Sequence, residues 1–169
     1  MRSLIPVFVS VPSSLSDEQQ QSFDFIIAAL ADEQLEYRAL GRGEYPVGTP
    51  LNEVFTIARH CSGGVILGYT QFKAHDVIVK PDTSDTRHER SMVFPTPWNN
   101  LEAGILFALR VPLLVFREPG IAGGIFDLGV DDIFIQSLPV GAPRGESCDV
   151  IRAVIRKWAV KVQAHYRQY

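Results

Sequence analysis

The segment Thr96-Pro97-Trp98-Asn99-Asn100-Leu101-Glu102-Ala103-Gly104 holds the residues best suited to do chemistry. A proline and an asparagine pair open an amphipathic stretch. One glutamate sits in its first turns among Leu101, Ala103 and Gly104, with Ile105, Leu106 and Phe107 beyond. A carboxylate with such neighbours is poorly solvated unless it faces a cleft, so burial raises its pKa or a polar ligand must satisfy it. Two roles fit Glu102. Near a helix start an acid is stabilised by unpaired amides and the macrodipole. Alternatively, Glu102 engages a ribose, where a carboxylate stabilises or captures the oxocarbenium-like state of glycosidic cleavage. Trp98 lies four residues earlier, on the same helix face, either as a core or lid residue or as a stacking surface for a base. Asn99 and Asn100 either cap the helix or bind a hydroxyl.

Other candidates surround this pair. Ser10-Val11-Pro12-Ser13-Ser14 follows an apolar run, and its hydroxyls and amides suit a ribose or phosphate as well as they suit a capped turn. Arg38 and Arg42 bracket the end of a second apolar run, where a guanidinium fork would suit a pyrophosphate; each also reads as a solvated surface arginine. Tyr69, which opens a long polar stretch, is counted with the substrate-contacting residues. Gly120, Gly123 and Gly124 suggest a phosphate cradle or a set of turns, without the lysine of a P-loop or a GxGxxG fingerprint. His60 and Cys61 end a helix, where a histidine favours the dipole. No metal-ligand or Ser/His/Asp constellation has the needed spacing.

The bulk properties bound the class of protein. The 169 residues, 46% of them hydrophobic, are enough for one domain spanning 1–169 with a sizeable core. A net charge of −3 with mixed signs argues against a nucleic-acid platform but leaves a nucleotide ligand open. Cys61 and Cys148 form no CxxC or disulfide framework, which implies a reducing cytoplasm. The run Met1–Val9 is short and broken by Pro6, so it reads as a strand rather than a leader. No stretch approaches the ~20 apolar residues that span a bilayer, so neither a membrane nor a nucleic acid is an expected partner.

These residues must be held by a frame, and the frame is periodic. Leu4–Val11 is an apolar, β-branched run. Ser16 and Gln19 form a capping box before Phe23, Ile26, Ile27 and Leu30 at helical spacing. Leu35–Leu40 reads as a second strand, Leu51, Val54, Phe55 and Ala58 as a second helix, and Gly64–Gly68 as a third strand. Tyr69–Pro95 is long, polar and charged, and reads as a functional loop. A helix follows from Pro97 to Leu109, then strands at Val111–Phe116 and Asp132–Ile135. A last helix spans Glu146–Tyr166, with Ile151, Val154, Ile155, Trp158 and Val162 on one face. Strands without alternation, separated by helices, predict an α/β sandwich with a five-stranded parallel sheet. The expected strand order is the flavodoxin-like 2-1-3-4-5, with a ligand crevice at the carboxyl ends of strands one and three.

Trp98-Asn99-Asn100-Leu101-Glu102 resembles the Trp-Cys-x-x-Glu signature of TIR domains, at the same four-residue offset. Val7-Phe8-Val9-Ser10 resembles that family's first-strand motif, and Val111-Pro112-Leu113-Leu114-Val115 its order after the helix. Glu102-Ala103-Gly104 is similar to the Glu-x-Gly of the related nucleoside 2-deoxyribosyltransferase-like proteins. The resemblance runs from about Val7 to Leu138. It departs at Asn99, which stands for the cysteine, and at the longer 69–95 stretch. The Asp that often pairs with the Glu has no certain match among Asp76, Asp82 and Asp85. The resemblance implies cleavage of the N-glycosidic bond of NAD or a related nucleotide, NAD being substrate and no cofactor needed. Glu102 would be catalytic, and Ser10, Val11, Pro12, Ser13, Arg38, Arg42, Tyr69, Trp98 and Asn99 would contact substrate. It further implies homo-oligomers or an effector partner, with an ADP-ribose-type signal in antiphage defence. The competing readings are a non-catalytic nucleotide-sensing or TIR-type interaction module, and an electron carrier, which would be yellow when pure.

Overall fold

The computed structural model describes residues 4–40, 49–129 and 135–168. The elements run β1 (Ile5–Ser10), α1 (Asp17–Asp32), β2 (Leu35–Arg38), α2 (Pro50–Arg59), β3 (Gly64–Gly68), β4 (Phe72–Val79), β5 (Arg87–Phe94), α3 (Pro97–Ala108), β6 (Leu113–Arg117), β7 (Ile135–Ser137) and α4 (Glu146–Tyr166), with a 3-10 turn at Gly124–Phe126 before β7. Five strands form one sheet in the order β2-β1-β3-β6-β7, and each neighbouring pair is parallel. This is the expected flavodoxin-like order, with β6 and β7 in the fourth and fifth places. The fifth strand was expected at Asp132–Ile135; the described strand is Ile135–Ser137, and 130–134 lie outside the described residues.

The sheet has a core on each face. Val7, Val9, Val65 and Leu67 meet α1 and α4 through Phe23, Ile26, Leu30, Ile151, Ile155 and Trp158. Phe8, Ile66 and Val115 meet α2 and α3 through Val54, Ile57, Ala58, Ala103 and Leu106. Successive residues of β1, β3 and β6 therefore point to opposite cores, while edge strand β2 exposes Glu36 and Arg38. The capping box of α1 is formed: the Gln19 amide donates to Ser16 Oγ at 3.3 Å, and the Ser16 amide donates to Gln19 Oε1 at 3.1 Å. In α2 the expected face is rotated. Leu51 and Phe55 are exposed and Ile57 is buried instead, because Val54, Ile57 and Ala58 form the stripe that reaches the sheet. No helix among the described residues is long and apolar enough to cross a membrane.

The long polar stretch is not a loop. β4 and β5 pair antiparallel from Phe72↔Phe94 to Val79↔Arg87 and form a separate two-stranded sheet. Its far end is closed by a side-chain network: the hydroxyls of Thr83 and Thr86 both donate to the Lys80 carbonyl, and Lys80 pairs with Asp85 at 3.2 Å. Most of the arm's residues are exposed. Its base returns to the body, where the Gln71 amide donates to the Phe94 carbonyl at 2.9 Å and Val93 packs on the α2/α3 core.

Candidate functional site

The site begins with how α3 is turned. Thr96, not either asparagine, is its N-cap, and its hydroxyl accepts from the Trp98 amide at 3.4 Å. Pro97 fills the first helical turn, where its missing N–H costs no hydrogen bond. The buried stripe is Asn99, Glu102, Ala103 and Leu106, the i, i+3, i+4, i+7 spacing of a helix lying on a sheet. Trp98 falls outside it and is 39% exposed. The expected Trp98/Glu102 pair is therefore corrected: the residue that shares Glu102's face is Asn99. Asn100 also has a role other than capping, since its Oδ1 accepts from the Ile125 amide at 3.0 Å and pins the 3-10 turn to α3.

Ser10 completes the constellation from the end of β1. Phe8 points to the α2/α3 core, so Ser10, two residues on, points the same way. Asn99 Nδ2 donates to Ser10 Oγ at 2.7 Å and to the Ser10 carbonyl at 3.4 Å. The Ser10 hydroxyl acts in turn on the Glu102 side chain and lowers its pKa. All three residues are buried: Ser10 is 1%, Asn99 0% and Glu102 8% exposed. Burial raises the Glu102 pKa from 4.5 to about 7, and the Ser10 hydrogen bond only partly opposes it. The carboxyl therefore changes charge near neutral pH. Asn99 Oδ1 is buried and has no hydrogen-bond partner, a rare state for a buried amide oxygen. The three residues meet where β1 ends and α3 begins, beside β3, at the switch point where α/β sheets hold ligands.

The other expected contacts divide. Val11 is half-buried against the α1/α4 core, Pro12 is buried and Ser13 is exposed. Of that stretch, Ser10 acts on Glu102. Tyr69 is corrected: it is fully buried in the α1/α4 core, with its hydroxyl 2.9 Å from Ser22 Oγ, on the sheet face opposite Glu102. Strand parity explains this, because Val65, Leu67 and Tyr69 share one face. Arg38 is also displaced from the site. It pairs with Glu36 at 2.9 Å and lines a recess with Pro6, Glu53, Thr56, His60 and Cys61, toward the amino ends of β1 and β3. Arg42 lies outside the described residues.

The glycine-rich connection forms turns at Gly120, Gly123 and Gly124, all at positive φ. The Gly123 amide donates to Asp127 at 2.8 Å, and Arg117, the last residue of β6, donates to the Ile121 and Phe126 carbonyls. On the α1 side, a recess of about 440 Å³ is lined by Gln19, Thr70, Lys73, Val93 and Glu118. There the Glu118 carboxylate accepts from the Thr70 amide at 2.7 Å and from Gln19 Nε2 at 3.0 Å. It ties together the ends of β3 and β6 and the start of α1, and it makes this side unfavourable for an anion. Lys73 and Val93 bring the base of the β4–β5 arm to the same rim.

Fold and site together define the class: a flavodoxin-like α/β protein with a buried Ser-Asn-Glu cluster at the carboxyl end of its first strand. No family model matches the sequence, and no curated protein matches it. Among solved structures, the chain is similar to a diflavin flavoprotein A3 from Nostoc sp., at 12% identity and a TM-score of 0.48, covering 99% of this chain and 98% of that one.

Proposed function

We propose that this chain binds NAD or a related nucleotide with its ribose at Glu102 and cleaves the N-glycosidic bond. The observation that carries this reading is the buried Glu102 carboxyl, titrating near pH 7 beside Ser10 and Asn99. In the step envisaged, the C1′–N bond breaks and the base leaves with the bonding pair. The ionised Glu102 stabilises the oxocarbenium-like centre, and a water oxygen bonds to C1′ while its proton passes to the carboxylate. The Glu102-Ala103-Gly104 triplet, similar to the Glu-x-Gly of nucleoside 2-deoxyribosyltransferase-like proteins, supports the same reaction class. The test is turnover of NAD and of a nucleoside panel by pure protein at several concentrations, beside Glu102→Gln. Consumption by the wild-type chain alone is expected. No consumption at any concentration, or equal consumption by both chains, overturns the proposal.

A second reading is a nucleotide-sensing or protein-interaction module without turnover. It is favoured by the β4–β5 arm, which holds Phe72 at 57% and Ile78 at 51% exposure. It predicts stabilisation by a nucleotide that stays intact.

A further inference from the structure

We infer that a cavity under α4, at the β7 edge of the sheet, is a second binding site, one for a small carboxylate carried on a single ring or a short acyl chain. The cavity has a volume of about 170 Å³. Its helix wall is Val154, Lys157, Trp158 and Lys161, the i, i+3, i+4, i+7 spacing of one helix face. Leu114 and Gln136 line the sheet side. Leu114 belongs to the α1/α4 core, and Gln136 pairs with Phe116 of that same core, so both face α4. An apolar cavity of about 150 Å³ takes up benzene, so this one has room for one ring or its aliphatic equivalent. Leu114, Val154 and the Trp158 indole offer it an apolar bed.

Trp158 distinguishes this cavity from a gap in packing. The residue is 5% exposed, and its Nε1–H is buried with no acceptor among the described residues. An indole nitrogen can only donate, and a buried donor is rarely left unmet. The ring is seated where only a glycine leaves room: a Cβ at Gly63 would lie 2.8 Å from Trp158 Cζ2 and 2.7 Å from Val162 Cγ2. The donor is thus held in place beside the cavity. The charge at the mouth has one sign. Lys157 and Lys161 are exposed there, and no acidic residue lines the cavity among the described residues. A carboxylate answers both features, since it accepts from Nε1–H and faces the ammonium groups. A cation would be repelled, and a neutral apolar molecule would leave Nε1–H unmet. Glu102 lies on the other face of the sheet, so this inference stands apart from the proposed nucleotide chemistry.

The test uses the indole N–H signals of the full chain in a proton–nitrogen NMR spectrum. The chain has 2 tryptophans, so Trp158→Phe assigns the Trp158 signal and Trp98 serves as the internal control. Phenylacetate and octanoate are the probes, with 2-phenylethanol and octanol as their neutral counterparts. Each carboxylate is expected to move the Trp158 signal saturably and leave Trp98 in place, while the alcohols bind at least roughly threefold more weakly. Lys161→Gln, an exposed substitution that leaves the fold intact, is expected to weaken the carboxylates by roughly twofold to fivefold and to reduce their salt dependence. No saturable shift by about 10 mM of either carboxylate overturns the inference, as does a shift at Trp98 alone. Alcohols that bind as tightly as the carboxylates overturn it too, because the cavity is then an apolar void without anion recognition. An unchanged affinity in Lys161→Gln has the same force, and it is read on a folded chain whether or not Trp158→Phe folds.

Discussion

Asn99 Nδ2 lies 2.7 Å from Ser10 Oγ and joins residues 89 positions apart in the chain. One is the last residue of β1 and the other lies in the first turns of α3. The bond fixes how α3 enters the α2/α3 face. Asn99 is buried against Ser10, so Glu102, one turn on, is turned inward, and its charged form is poorly solvated. The perturbed carboxyl therefore follows from the docking of a helix rather than from a nearby charge.

Stability should fall as Glu102 ionises. Its folded pKa of about 7 lies above the ordinary 4.5, so the folded chain holds a proton that the unfolded chain releases between those values. The stabilisation is complete below about pH 4.5 and is lost as pH rises through about 7. Glu102→Gln, which stays neutral, should be more stable than wild type above that window by on the order of 2–3 kcal/mol and nearly equal below it. Denaturant titrations from pH 4 to pH 9 measure the difference, and parallel curves for the two chains would contradict the buried state of Glu102.

Turnover should run the other way with pH. If the ionised carboxylate stabilises the cationic centre and takes the water proton, kcat/KM for NAD or the nucleoside consumed rises through about pH 7 and levels above it. Below the midpoint each unit of acid costs about tenfold. A profile flat across neutrality would remove Glu102 from the rate-determining chemistry.

Tyr69 separates core from site. Tyr69→Phe deletes the hydroxyl facing Ser22 Oγ at 2.9 Å and should cost about 1 kcal/mol of stability. Nucleotide affinity should not change, because the ring lies on the sheet face away from Glu102. A thermal-shift series with ligand measures both effects, and a loss of affinity beyond about threefold, or roughly 0.6 kcal/mol, would return Tyr69 to the site.

What could be read from the residues follows from which forces are local. The parallel order was legible because Val7–Val9, Val65–Leu67 and Leu114–Phe116 are buried on both faces and show no alternation. The β4–β5 arm was not legible. Exposed on most of its length, it carries Lys73, His75, Arg87 and Arg90 instead of a period-two apolar pattern, and its pairing rests on the backbone ladder. Glu102 stands out from its apolar neighbours, but the four-residue offset that pairs it with Trp98 is one of two face-sharing offsets on a helix, and the buried stripe uses the three-residue offset of Asn99. The phase of Ala103 and Leu106 was the better guide, since Asn99 lies four and seven residues before them. The Asn99–Ser10 bond is purely tertiary and has no local signal.

Two glycines give a final contrast. Gly68 ends β3 facing the 3-10 turn, and a Cβ there would lie 2.5 Å from Phe126 Cε1. Phe126 is itself fully buried, so the ring cannot swing into solvent. Gly68→Ala should therefore cost about 1–3 kcal/mol through overpacking and loosen the turn that Asn100 anchors. Gly104 belongs to the Glu102-Ala103-Gly104 triplet, yet a Cβ at that position meets nothing within 4 Å. It lies on the exposed side of α3, where alanine is the better helix former. Gly104→Ala should stabilise the chain by about 0.5–1 kcal/mol. Urea unfolding of the two variants measures both changes. If Gly104→Ala stabilises the fold but abolishes nucleotide binding or turnover, then space beside Gly104 is used by a ligand. If it stabilises and leaves both intact, the triplet's functional weight rests on Glu102 alone.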